Sequence, residues 1–160
     1  MNFEALNIRK VDNTGNFKLN EDYILSYEHF DGWSERLLRL GIYIDLIFEC
    51  KIEISFYKRN SDKIKKQFER EIPGDIQNLI LEIINLDFLT LKKYYSDIFM
   101  EDQSNQRYVI NHSGESHNIA IGNLLKEPQP ENPTEKLFFI LIQLFEKWRE
   151  KIYQDCLKEM

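Results

Sequence analysis

Apolar residues in this chain recur at every second position, then at every third or fourth, then at every second again, and finally at every third or fourth toward the C-terminus. A strand sends successive side chains to opposite faces, and a helix returns to one face every 3.6 residues or so. Such changes of period commit the chain to both elements. Residues 1–20 are polar, carry the turn-favouring cluster Asn13-Thr14-Gly15-Asn16, and form an irregular or short-strand lead-in. Asp22 to Phe30 is rich in Tyr, Ile and Phe and stops at Asp31-Gly32, which supplies the twist of a tight hairpin; Trp33 begins the return strand. Leu38, Leu40, Ile42, Ile44, Leu46 and Phe48, then Ile52, Ile54 and Phe56, hold period two between Ser34 and Tyr57. That run is one long bent strand or two paired strands, with Glu49-Cys50-Lys51 the expected break.

Pro73 opens a helix where its missing N–H costs nothing, and Asp75 lies near the positive end of the dipole. Ile76, Leu79, Ile80, Ile83 and Ile84 trace its apolar face, and Phe88, Leu91 and Tyr95 extend the contacts through a kink or a further short turn. Arg107 to His112 and Ser116 to Gly122 are strands joined at the tight turn Ser113-Gly114. After a connector containing Pro128 and Pro130, a last helix begins with Asn132 as cap, Pro133 in its first turn and Glu135 three residues from the cap. Leu137, Phe138, Leu141, Leu144, Phe145, Trp148 and Ile152 form its inner face. The resulting β-β-β-α-β-β-α order predicts an α+β fold, an antiparallel sheet with two helices packed on one face, as a single domain over residues 1–160.

Charge narrows the partners. With 27 acidic against 21 basic side chains the formal charge is -6, spread along the chain, which favours a basic protein partner and disfavours nucleic acid. The most basic stretch, Lys58 to Arg70, fits a solvated edge strand or loop better than a phosphate site, because edge strands carry lysine to block pairing with other chains. No apolar run is long enough to cross a bilayer, and the N-terminus, with Glu4 and no long apolar stretch, is not a secretory signal, so a cytoplasmic protein without membrane partners is expected.

Few residues suggest chemistry. No glycine-rich nucleotide motif, phosphate-binding loop or Cys-x-x-Cys pair is present, so neither a cofactor nor an enzyme activity is expected. His112 and His117 flank the Ser113-Gly114 turn and, in any hairpin loop of even length, share one face of the ribbon; a metal site there needs a third ligand such as Glu115 or Asp102, and exposed hairpin histidines are the plainer reading. Glu28-His29 beside Asp31 suggests a general base or polar decoration of a hairpin end. Cys50, in an apolar run, reads as a buried thiol. Asp97, Phe99, Met100, Glu101 and Asp102 combine acids that steer a basic partner with apolar anchors, and Trp33, Tyr94 and Tyr95 belong to types favoured both in interfaces and in cores. The expectation is a small acidic, non-catalytic binding protein, monomeric or homodimeric, that blocks a basic protein by direct contact as inhibitors and bacterial immunity proteins do. The alternative is a small-molecule binder or hydrolase with a pocket between sheet and helices that uses His29, His112 or His117.

Overall fold

The computed structural model describes residues 8–30, 37–57, 62–96, 105–122 and 128–159. Its strands are β1 (Arg9–Val11), β2 (Phe17–Leu19), β3 (Tyr23–Phe30), β4 (Leu37–Asp45), β5 (Glu49–Tyr57), β6 (Lys63–Glu71), β7 (Tyr94–Tyr95), β8 (Asn105–His112) and β9 (Glu115–Ile121). The helices are α1 (Gly74–Asn85) and α2 (Pro133–Lys158), with a 3-10 turn at Phe88–Thr90. The fold is α+β: β1 and β2 form a small antiparallel sheet, and the others form a seven-stranded sheet in the order β6-β5-β4-β3-β8-β9-β7. β3 to β6 run as an antiparallel meander from the middle of the sheet to one edge. The segment carrying α1 then takes the chain to the other edge, where β7 pairs parallel to β9. That pair makes the sheet mixed rather than wholly antiparallel.

The helices cover one face. Tyr27, Ile42, Ile52 and Tyr108 sit side by side in register on neighbouring strands and are fully buried. Phe138 and Phe145 of α2 meet Tyr108 with ring centroids 5.2 and 5.6 Å away, and Phe145 lies 4.9 Å from Tyr27. Ile76, Ile80 and Ile83 of α1 join the same core. Each such buried side chain contributes about 1.5–3 kcal/mol. The Asn132 cap forms as expected, its side chain accepting from the Glu135 N–H at 2.8 Å at the start of α2, whereas Pro73 stands just before α1 rather than in its first turn.

The opposite face is shielded partly by the β1–β2 hairpin. Ile8, Leu19, Tyr23, Tyr43 and Val109 form a second buried cluster there, with Phe17 against it. Phe17 lies between two guanidiniums, Arg9 at 3.9 Å and Arg107 at 4.6 Å from its ring centre. The Asn118 amide accepts from the Phe17 N–H at 2.8 Å and donates to its carbonyl at 2.7 Å, fastening the hairpin to β9.

Two expectations change. The break in the 34–57 run lies at Leu46-Ile47-Phe48, three residues ahead of the predicted start at Glu49. Asp45 sets it there: its carboxylate accepts from the N–H groups of Ile47 and Glu49, and Phe48 takes φ 63, a conformation usually left to glycine. The stretch 63–71, which the sequence leaves as edge strand or loop and the expected element order does not count, is the edge strand β6: Ile64, Lys66 and Phe68 lie on the helix side, with Lys66 meeting Glu159 at 3.4 Å, while Lys63 and Lys65 are exposed. The Asp31-Gly32 turn and Trp33 lie outside the described residues.

Candidate functional site

The histidines do not converge. Glu28 and His29 are neighbours on one strand and therefore point to opposite faces, so Glu28 does not orient His29 as a base. His29 is buried on the helix side, where its Nδ1 accepts from Arg149 at 3.3 Å. His117 is buried at the far end of the sheet and meets the Leu91 carbonyl at 2.7 Å. A carbonyl only accepts, so this Nε2 carries the proton and offers no lone pair to a metal. His112 does share a face with His117, both rings standing edge-on to Phe88 at 6.2 and 6.4 Å. Among the described residues no three His, Cys, Asp or Glu side chains are arranged to hold a metal. Cys50 is buried, and burial followed by the nearby Asp45 pushes its thiol far above the ordinary range.

Charge collects instead on the face away from the helices. Glu28, Gly41 and Glu53 stand in one row across β3, β4 and β5. With no side chain on Gly41, the Tyr43 ring lies across it, its hydroxyl donating to Glu28 at 2.9 Å and accepting from Arg39 at 3.0 Å. Arg39 spans the gap between the acids, 3.1 Å from Glu53 and 3.4 Å from Glu28. Arg9 of the hairpin adds a 2.9 Å ion pair to Glu28, without a hydrogen-bonding alignment of its Nε, and Lys65 meets Glu53 at 3.0 Å. Burial alone would raise Glu53, but donors from Lys65, Arg39 and Gln67 outweigh it and hold the carboxyl below its usual range. Each acid in this row has a cation, so the row joins strands, although the buried Glu28 Oε2 takes no hydrogen bond among the described residues.

The exposed candidate is at the β4–β5 turn. Ile47 is 74% and Leu46 55% exposed, at the tip of a structured turn rather than in the core. Around them stand six acids, Glu21 and Asp22 just before β3, Asp45 and Glu49 at the turn and Glu69 and Glu71 at the end of β6, together with the cations Lys18 and Arg70. Glu49 is directly opposite Glu71, and Lys51 directly opposite Glu69. No ion-pair partner for Glu49 or Glu71 occurs among the described residues. Lys51 donates to the Tyr23 hydroxyl at 3.0 Å, which with the fields of Glu69 and Asp45 raises its pKa. A groove of about 490 Å³ runs beside the tip, lined by Ile47, Phe48, Glu49, Glu69, Arg70 and Glu71 among others. Like charges directly opposite in a sheet destabilise it, and the exposed isoleucine adds nothing to the core, so neither feature strengthens the fold.

The sequence motif singled out for partner binding, Asp97, Phe99, Met100, Glu101 and Asp102, lies outside the described residues. Of the aromatic candidates, Tyr95 is buried, its hydroxyl donating to Glu135 at 2.6 Å, while Tyr94 is exposed on the edge strand. The Leu46-Ile47 tip escaped the sequence reading because period two continues through it; Asp45, an acid able to cap a turn, was the available signal. Among the described residues no helix is long and apolar enough to cross a membrane. No known family model matches the sequence, and no curated protein matches it either.

Proposed function

We propose that this chain is a non-catalytic binding protein that captures a basic protein on the acidic rim around Leu46 and Ile47, blocking it in the manner of an inhibitor or immunity protein. The observation that carries the reading is an exposed isoleucine at a structured turn beside two glutamates that stand opposite each other and have no ion-pair partner among the described residues. A lysine- or arginine-rich surface would supply the missing charge, and Ile47 would enter an apolar pocket of the partner. Acids then set the rate and selectivity of encounter, and the buried apolar anchor holds the complex. The net charge of -6 acts in the same direction at longer range.

The test is affinity capture from the native host with tagged wild type and Ile47→Asp, followed by titration with the purified partner. One protein of net positive charge is expected on the wild type, with binding weakened by about 30-fold in the variant, the size of an interface anchor, and weakened for both by added salt. Absence of a specific partner, or equal binding by the variant, contradicts the reading.

A further inference from the structure

A second recognition site lies along the outer edge of β9. The Ala120 N–H donates outward to the Lys93 carbonyl and the Gly122 N–H to the Tyr95 carbonyl, so even-numbered residues of β9 face away from β8. By the alternation of an antiparallel pair, Ser116 and Asn118 also present N–H and C=O outward. β7 pairs with Ala120 and Ile121 and stops there. No hydrogen bond to the outward backbone groups of Ser116 and Asn118 occurs among the described residues.

This open edge is the floor of a slot. A groove of about 310 Å³ is lined by Glu115 to Ala120 of β9, by Leu89 and Lys93, and by Asn16 and Arg107. His117 pins the Leu91 carbonyl from one side of the sheet, and Asn118 pins Phe17 from the other, so both walls are tied to the strand that forms the floor. Leu89 is 49% exposed on its wall. Glu115 marks the hairpin end, and Lys93 and Arg107 mark the end next to Ala120. No ion pair to Lys93 or Arg107 occurs among the described residues, and Arg107 stacks on Phe17.

We propose that this slot takes an extended segment of a partner protein as an added strand, with an acidic side chain of that segment meeting Lys93 and Arg107. Backbone bonds to Ser116 and Asn118 supply affinity, Leu89 offers an apolar contact, and the charge gradient from Glu115 to Lys93 sets direction. The other edge of the sheet differs: β6 is long but lysine-rich, which guards it against added strands. The slot is separate from the Leu46-Ile47 rim and does not depend on it.

The probe is a displayed library of random peptides of about seven residues, tested as acetylated and amidated synthetic peptides so that only side-chain carboxylates count. Selection on the full chain is expected to enrich peptides carrying Asp or Glu, and their binding to shift and slow the exchange of the Ser116 and Asn118 amides. Ser116→Pro removes one outward N–H and leaves the β8 ladder, whereas Ser116→Ala removes only the hydroxyl that donates to Asn111. Affinity is expected to fall about tenfold in the first and by less than about twofold in the second, and Lys93→Glu to abolish the preference for acidic peptides. Failure to enrich any peptide, equal binding by the proline and alanine variants, or amide shifts confined to other strands would each overturn the proposal. Should the proline variant not fold, the wild-type amide pattern alone decides.

Discussion

Gly41 shows how one missing side chain organises a charged row. A Cβ at this position would stand 2.7 Å from the Tyr43 hydroxyl oxygen and 3.0 Å from its ring, and Tyr43 is itself buried. Gly41→Ala must therefore displace the ring that bonds Glu28 and Arg39, at about 1–3 kcal/mol, seen as a lowered thermal midpoint. Glu53 belongs to the same row, and its folded pKa lies below the ordinary value of 4.5. A carboxyl lowered on folding contributes stability that is complete above its unfolded pKa and is lost as pH falls through the folded one. Acid titrations followed by circular dichroism should therefore show a shallower loss of stability below pH 4.5 for Glu53→Gln than for wild type. None of this row was legible in the sequence, because Glu28, Gly41 and Glu53 come from three strands whose register alone brings them together. The burial of Cys50 was legible, since its apolar neighbours alternate with period two.

Among the elements, those with punctuation of their own were the easiest to read. Pro73, the Asn132 cap and Ser113-Gly114 each state a local geometry, and the structure places a helix start or a turn at all of them. The β8–β9 turn still carries strain, with Ser113 at φ 53 and Gly114 at φ 80. Asparagine tolerates the first of these better than serine, so Ser113→Asn is expected to stabilise by about 0.5 kcal/mol in chemical denaturation. Strand β6 was harder to recognise as a strand because only Ile64 and Phe68 mark its inner face, with Lys66 between them turned to Glu159 at 3.4 Å. The β4–β5 turn was misplaced because Phe48 occupies a conformation for which glycine is the usual sign.

At the scale of the molecule, buried and exposed acids are set differently. The face away from the helices pairs the buried Glu28 and Glu53 with cations, while the rim at the β4–β5 turn leaves Glu49 and Glu71 facing each other in the open. The fold class followed from period and connection length. The rim did not, since it draws on the start of β3, one turn and two strand ends that are distant in sequence. If the rim is kept for a partner, relieving its repulsion should strengthen the fold and weaken capture together. Glu71→Lys sets an ammonium opposite Glu49, with an expected gain of about 1 kcal/mol and a midpoint higher by roughly 2–4 °C. The decisive measurement pairs the thermal midpoint of Glu71→Lys with its affinity for the captured basic partner. A higher midpoint with partner binding weakened about tenfold or more is the predicted result; a higher midpoint with binding unchanged contradicts the account.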